Sequence, residues 1–585
     1  MNTFLTRAFG AAFLTVAVTE FTQIGALLID GIITSKYLGA SDIAAVGVAS
    51  PFYFLVGIIG TGVAVGLQTV CTKEMGSGNT TRMNYVFNET MEVALAVSLL
   101  FTLLVLAAAS PMAFCFGARG NAAGLQQDTV LYLRGLSYEV VPYVLLSVLT
   151  PVVILDNGDS VVMISSFVGA ISNIVFDVMA IRLNGGIWGM GMATSLSVIL
   201  SFLILMTHFL KKNRLLHLMP IRIVWADIKE ILRLSGPKAV HQAAGMLRPI
   251  ILNSLIVAAG GSMAMSVMSI RTSIADFVDV PAVGIAGAVG LLAGIGYGEV
   301  NGEDMEYVSI IALRSIVASS ALITVLLLVF ARPIAVFYLG EDSEAIPLMM
   351  YAIGTIAAGT FFSELSYTII SYLQAIENTR YAQIMEIQAN LVSLIVCAFL
   401  LSIPFGIYGI FSAYPISQLI VFLTFVGRGV IRTKKLPPTR QDYLELDSLF
   451  YKGPGDEIAY PIETLEHCTL ASEQVYLFCK GHGLDKRKAF HASLCIEEVT
   501  TNIIEHGFVN ENRANRAEIR VTLNKGTLII RVRDNGREFD LSKLAKILTD
   551  DSAPYSNIGI KLICKSAKDI HYYRIWGMNT TILEI

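Results

Sequence analysis

Before residue 431 the chain holds twelve apolar stretches, at 8–35, 44–71, 85–115, 129–154, 160–182, 187–210, 236–259, 264–297, 307–338, 347–375, 382–403 and 406–430. About 20 helical residues cross roughly 30 Å of hydrocarbon. In hydrocarbon each backbone N–H and C=O must find its partner inside the structure, which leaves helices as the solution for runs of this kind. Twelve of them in series predict an α-helical polytopic membrane protein. Several exceed the minimum length, so tilted helices or surface-lying ends are expected. Composition agrees. Of 585 residues, 54% are hydrophobic and 15% charged, against about 25% charged in a soluble domain. The mean hydropathy is +0.64. A net charge of −4 points away from a nucleic-acid partner. The 48 glycines suit close approach of helix backbones in lipid.

The seven cysteines, Cys71, Cys115, Cys397, Cys468, Cys479, Cys495 and Cys564, form no CxxC pair and are scattered over the chain. They read as small apolar fillers, not as a disulfide framework or zinc site. The N-terminus shows no cleavable signal pattern and runs straight into apolar sequence, which serves as its own insertion signal.

Basic residues set the expected orientation. Lys211, Lys212, Arg214, Arg222, Lys229, Arg233 and Lys238 lie between spans six and seven. Arg432, Lys434, Lys435 and Arg440 follow span twelve. Lys and Arg accumulate on the cytoplasmic side, so both termini and the middle loop are expected in the cytoplasm, with the protein multi-pass in a bacterial-type inner membrane.

An internal repeat is legible. The interval Gly39–Gly76 equals Gly261–Gly298, and Gly62 matches Gly284. The segment VVILDNGDSV (152–161) pairs with LQAIENTRYA (373–382) at a nearly equal offset. Two six-helix lobes in the same order follow, 1–215 and 216–432, with a substrate path expected between them. A stretch rich in Pro, Gly and charge, 433–459, reads as a linker. Residues 460–585 have the composition of a soluble α/β domain. Alternation in AEIRVTLNKGTLIIRVRDNG (517–536) predicts a two-stranded hairpin. Helical spacing runs through 470–483 and 488–508, and MNTTILEI (578–585) predicts a final strand.

Ionisable residues at bilayer depth are costly and usually face a cavity. Asp30 lies in the first span, and Asn173 and Asp177 stand one turn apart on one face of the fifth. Two carboxyls and an amide supply oxygen ligands for Na⁺, or equally a carboxyl pair that holds H⁺. Glu20, Glu139, Asp276, Asp279, Glu364 and Glu386 also fall at or near membrane depth, either lining a cavity or at loop edges.

The stretch IDGIITSKYLGASDIAAVGVASP, the GSGN after span two and the block SNIVFDVM…GGIWGMGMATSLS resemble the multidrug and toxic compound extrusion (MATE) family over about 1–430. The resemblance implies a cation site in the N-lobe at Asp30, Asn173 and Asp177, with Thr194 supplying a hydroxyl. It implies export of organic, often cationic or xenobiotic, small molecules in exchange for H⁺ or Na⁺ from within membrane lipid. One departure is Arg248, which stands in the region of the seventh helix where some members carry an acidic residue.

The C-terminal part has no GxxxxGK[ST] sequence, so a P-loop is excluded. In IEEVTTNIIEHGF (496–508), Glu498 and Asn502 share a helix face, a carboxylate for proton abstraction and an amide oxygen for Mg²⁺. In RVRDNGREFD (531–540), Asp534 follows a strand and can accept from an exocyclic amine, while Gly536 permits close backbone approach. In SNIGIKLICKSA (556–567), a loop enters a helix and can offer N–H groups to phosphates. In this order the three segments resemble the nucleotide boxes of the GHKL ATPase superfamily, and most closely the anti-sigma-factor serine kinases of the RsbW and SpoIIAB kind. The resemblance implies an α/β sandwich binding ATP and Mg²⁺. It assigns Glu498 as catalytic base, Asn502 to Mg²⁺, Asp534 to adenine, and Gly536, Asn557 and Gly559 to the nucleotide loops, with Thr580 near adenine. Asn557 stands where the family usually has glycine. His506, four residues after Asn502, has a structural reading as well as a family one.

The two resemblances together lead to an ion-coupled exporter fused to an ATP-binding regulatory or Ser/Thr kinase domain. Its implied protein partner is a STAS-type anti-sigma antagonist or a sigma factor. The alternative is a membrane receptor kinase that senses a ligand through a transporter scaffold.

Overall fold

The computed structural model describes the chain apart from residues 1, 38–39, 117–122, 212–213, 221–222, 342–343, 436–438, 452–455, 509–514, 525–526, 542–562 and 564–565. The first lobe comprises α1 (Asn2–Tyr37), α2 (Ala40–Gly57) continued through a π turn into α3 (Val63–Gly76), α4 (Thr80–Phe116), α5 (Ala123–Leu136) continued into α6 (Val140–Leu155), α7 (Asp159–Arg182) and α8 (Gly186–Met206). A short amphipathic helix, α9 (Trp225–Leu234), buries Ile228, Ile231 and Leu234 and leaves Trp225 exposed. The second lobe comprises α10 (Gly236–Val278), α11 (Val280–Gly298), α12 (Gly302–Leu339), α13 (Ile346–Ala375), α14 (Thr379–Ile387) and α15 (Ser393–Thr433).

Among the described residues, eleven helical runs are long and apolar enough to span a bilayer, but the last covers 55 residues, Thr379–Thr433. At 1.5 Å per residue that is over twice the hydrocarbon thickness. It breaks at Gly406, whose φ of 55° lies in the left-handed region. Gly261, with φ 63°, separates spans seven and eight within α10 in the same way. An L side chain at either position would be strained, so glycine is what lets the chain turn there. Counted by crossings, the expected twelve are present.

The repeat extends to turn geometry. Gly76 and Gly298 end α3 and α11. Two residues on, Gly78 and Val300 both have positive φ. Then Asn79 Oδ1 accepts from Arg82 N at 3.1 Å, and Asn301 Oδ1 from Asp304 N at 3.0 Å. The second pair of segments aligns one residue differently from the sequence reading. The left-handed residues are Asn157 and Glu377, each at φ 60°, an offset of 220 (157 to 377) where the glycines give 222 (76 to 298).

The described middle of the stretch read as linker is folded onto the second lobe. It contains α16 (Arg440–Tyr443). Tyr372 donates to Leu444 O at 2.8 Å, and Glu445 accepts from Arg428 at 2.8 Å and Asn378 at 2.7 Å. A buried carboxylate held by two donors anchors what composition alone marks as loose.

The C-terminal domain is a five-stranded antiparallel sheet of order β1-β2-β3-β5-β4. Its strands are β1 (Glu457–Ile462), β2 (Ala517–Asn524), β3 (Thr527–Asp534), β4 (Asp569–Ile575) and β5 (Met578–Glu584). The hairpin and last strand lie where alternation puts them, and β1 starts three residues before the expected boundary at 460. Helices α17 (Leu465–Gly481) and α18 (Lys486–Asn502) cover one face over a core of Ile462, Val475, Ile496, Ile519, Ile530 and Val532. The other face packs on the membrane lobes. Tyr573, Ile575 and Ile582 belong to the same buried cluster as Val70, Met75 and Ile295.

Candidate functional site

Two sites emerge, one among the helices of the first lobe and one on the helical side of the sheet. In the lobe, α1 packs against α7, and α7 against α8. Asn173 and Asp177 sit on the buried face of α7, and Asp177 is 0% exposed. The carboxyl of Asp30 on α1 lies within interaction range of that of Asp177. Among the described residues, no side-chain or backbone donor reaches either oxygen of Asp177, and Asn173 Nδ2 is also unpaired. Buried polar atoms are normally satisfied. A buried carboxyl left without donors, beside a second one, fits a proton or a small cation as the missing partner. Thr194, on α8, turns its hydroxyl to Met190 O at 3.3 Å. Glu139 is buried between α5 and α6 within electrostatic reach of Asp30, as are the Tyr53 and Tyr132 hydroxyls, which are 2.9 Å apart. Position at bilayer depth signals Glu139 in sequence. Nothing in sequence signals the tyrosine pair.

The second lobe has acidic groups of its own. Glu364 is fully buried and accepts from Ser319 Oγ at 2.5 Å. Asp279 accepts from Ser363 Oγ at 3.4 Å, Glu386 pairs with His241, and Arg271 lies 3.6 Å over the Tyr414 ring. Glu364 Oε1 and Arg271 Nε have no partner among the described residues.

In the C-terminal domain, α18 packs on β3 and presents Glu498 and Asn502 one turn apart, both half-buried. A π turn, Ile503–Gly507, follows and folds against the loop after β3. Gly507 O accepts from Arg537 N at 2.8 Å. A Cβ on Gly536 would meet Gly507 O at 2.8 Å and Asp534 Oδ1 at 2.9 Å, so only glycine lets the two loops close up here. Asp534 is 5% exposed. Its Oδ1 accepts from Gly536 N at 2.8 Å and Asn579 Nδ2 at 2.7 Å. Burial pushes its pKa up to about 6, with Asn579, the Gly536 N–H and Arg574 pulling the other way. Asn579 Oδ1 in turn accepts from Tyr572 at 2.7 Å and Arg574 at 3.0 Å. This wired carboxylate could hold a ligand's donor group at the edge of the helical side of the sheet. Asn557 and Gly559 lie outside the described residues. His506 is largely exposed, 4.0 Å from Glu505.

Register corrects one assignment. Asp534 is opposite Asn579, Arg533 opposite Thr580, and Val532 opposite Thr581. Directly paired residues share a face and successive residues alternate. Thr580 therefore lies on the membrane side of the sheet with Arg533, away from Asp534. Asn579 and Thr581 occupy the Asp534 side. A tandem of two threonines cannot be phased from sequence, and a one-residue slip exchanges faces.

The fold and sites define a two-lobed helical membrane transporter carrying an ATPase-like domain. The MatE family profile matches residues 16–179 and 237–400, once per lobe, and the histidine kinase-like ATPase domain profile matches 463–585. The chain belongs to the MatE family, with a C-terminal histidine kinase-like ATPase domain that implies ATP binding. Its relatives include the multidrug export protein MepA of Staphylococcus saprophyticus, 20% identical over 433 residues, which cover 72% of this chain and 94% of that protein. Among solved structures, the outward-facing conformation of a multidrug resistance MATE family transporter of the MOP superfamily superposes with TM-score 0.69 at 21% identity, covering 73% of this chain and 96% of that one. A MOP superfamily transporter from Pyrococcus furiosus, described as having a binding pocket of reverse polarity, gives TM-score 0.67 at 22% identity over 74% and 97%.

Proposed function

We propose that the chain is an antiporter exporting organic compounds in exchange for H⁺ or Na⁺, with a cytoplasmic domain that binds Mg-ATP. The observation that carries the antiport reading is the fully buried Asp177, which lies by Asp30 and has no donor on either oxygen among the described residues. Asp30, Asn173 and Asp177 would hold the coupling ion, and a hydroxyl from Thr194 would join them on a rotamer change. The ion and the cargo would occupy the lobes alternately, because neutralising the carboxyl pair removes the charge that a cationic compound would seek. The lobes carry residues 1–215 and 216–432. The basic segments around 211–238 and 432–440 support a cytoplasmic placement for both termini. That the relative MepA is a multidrug export protein supports organic cargo. The test is flux in proteoliposomes under an imposed Na⁺ or H⁺ gradient, using a fluorescent organic cation. Asp177→Asn should abolish gradient-driven flux, and flux equal to wild type would sink the reading.

In the ATPase domain, Asp534 would take the exocyclic amine of adenine, Asn502 would hold Mg²⁺ and Glu498 would serve as base towards a Ser or Thr hydroxyl. Asn557 and Gly559 would line the phosphate loop. A STAS-type protein or a sigma factor is the partner that the anti-sigma resemblance brings forward. Labelled ATP incubated with the full chain and such a protein should transfer label, and Glu498→Ala should stop transfer while leaving ATP bound.

A further inference from the structure

The face of the sheet turned away from the nucleotide pocket contacts both lobes. Among the described residues, Arg531 approaches both. Its Nη2 donates to Gly76 O, at the end of α3 in the first lobe, at 3.1 Å. Its Nε lies 3.7 Å from Glu299 Oε1, at the end of α11 in the second. Arg533 pairs with Glu299 and, at 2.7 Å, with Asp304, and Tyr573 donates to Glu299 at 2.9 Å. On the first lobe, Trp576 Nε1 donates to Asp159 Oδ1 at 3.0 Å, at the start of α7. Gly78 approaches Ile582 and His571 so closely that a Cβ there would sit 3.0 and 3.2 Å from them.

At this same face the lobes are shut against each other. Lys73 of α3 reaches Glu377, in the turn after α13, at 2.7 Å. A Cβ on Gly76 would lie 2.1 Å from Ile295 O, and one on Gly298 2.0 Å from Lys73 O. Parting the lobes here must move Gly76 away from Glu299, and Arg531 cannot follow both.

The nucleotide pocket adjoins this contact. Strand alternation sends Arg531 and Arg533 to the lobes and Val532 and Asp534 to the helical side. Asn535, the next residue, lines a cavity of about 390 Å³ with Trp576 and with Phe4 and Arg7 of α1. The same helix carries Asp30.

We propose that the ATPase sheet is a clamp across the two lobes that holds them closed at the face it covers, and that nucleotide at Asp534 sets how firmly it holds. The nucleotide part rests on the reading of the pocket given above. A clamp of this kind would make export subject to the nucleotide supply without ATP driving the pump.

The experiment uses the full chain in lipid nanodiscs with spin labels at Thr81→Cys and Arg380→Cys, which are exposed positions on opposite lobes at this face, after Cys115 and Cys564 are replaced by serine. Distances are measured by double electron–electron resonance with and without Mg-ATP, and binding of labelled ATP is measured in parallel. Arg531→Met and Trp576→Phe should each raise the lobe-open population on the order of tenfold, the effect of losing a hydrogen bond to a charged group. Trp576→Phe keeps the ring in a turn, so it guards against a folding defect in the buried arginine variant. Mg-ATP should shift the wild-type distribution and leave Asp534→Asn unmoved. Wild-type distributions in both clamp variants overturn the clamp, with ATP binding untouched. A wild type that binds ATP with no change in distribution overturns nucleotide control. Absence of ATP binding overturns the pocket reading and nucleotide control with it, while the two variants still decide the clamp.

Discussion

Gly76→Ala and Gly298→Ala should each force open the contact that closes the two lobes. The added Cβ would stand 2.1 Å from Ile295 O in the first case and 2.0 Å from Lys73 O in the second. Both obstacles are backbone carbonyls of a packed helix end, with no flexible side chain to yield. Ordinary contact lies near 3.5 Å, so α3 and α11 must separate by about 1 Å or more. Overpacking of this kind costs about 1–3 kcal/mol. At about 1.4 kcal/mol per factor of ten, the population closed at this face falls on the order of 5- to 150-fold relative to the open one. The two residues share one contact, so the double variant should shift it by less than the sum of the singles. The reporter is Thr72, buried against Gly294 between the lobes. Thr72→Cys should react with a membrane-impermeant maleimide, added from the ATPase-domain side, faster in either glycine variant. Gly10→Ala, with nothing within 4 Å of its Cβ, is the control. Wild-type labelling rates in correctly folded Gly76→Ala and Gly298→Ala proteins would refute the reasoning.

Other outcomes follow from the same geometry. Asp534→Asn should weaken ATP binding about 10- to 100-fold, the loss of one charged hydrogen bond, by equilibrium binding of a fluorescent analogue. With Asp534 raised to about 6 by burial, affinity should fall as pH drops below about 6 and the carboxyl acquires its proton. Thr581→Val should lower nucleotide affinity and leave docking intact, and Thr580→Val the reverse; the opposite pattern would overturn the register argument. Burial alone would raise Glu299, but the charges of Arg531 and Arg533, with hydrogen bonds from Arg533 and Tyr573, hold it down at about 2. Asp304 and Glu518 face the same arginine. A depressed carboxyl contributes docking stability that is fully present above about pH 4.5 and lost as pH falls towards 2, on the order of 3 kcal/mol. Docking, followed as the distance between spin labels on α17 and α12, should hold from pH 5 to 8 and weaken below 4.5.

The twelve crossings, the duplicated lobes, the hairpin at 517–536 and the order of the nucleotide segments follow from the sequence because each is a local period or a repeated string. Asn173 and Asp177 share a face for the same reason, being one turn apart. The meeting of Asp30 with Asp177 depends on how α1 lies against α7, and the pairing of Arg533 with Glu299 joins residues 234 positions apart. Neither leaves a local trace. Composition marks 433–459 as a linker, yet Arg428 and Asn378 reach across to hold Glu445. Alternation shows that β5 has two faces but not which of Thr580 and Thr581 turns to the nucleotide. A period can be read along the chain, whereas its phase against a distant neighbour exists only once the two are packed.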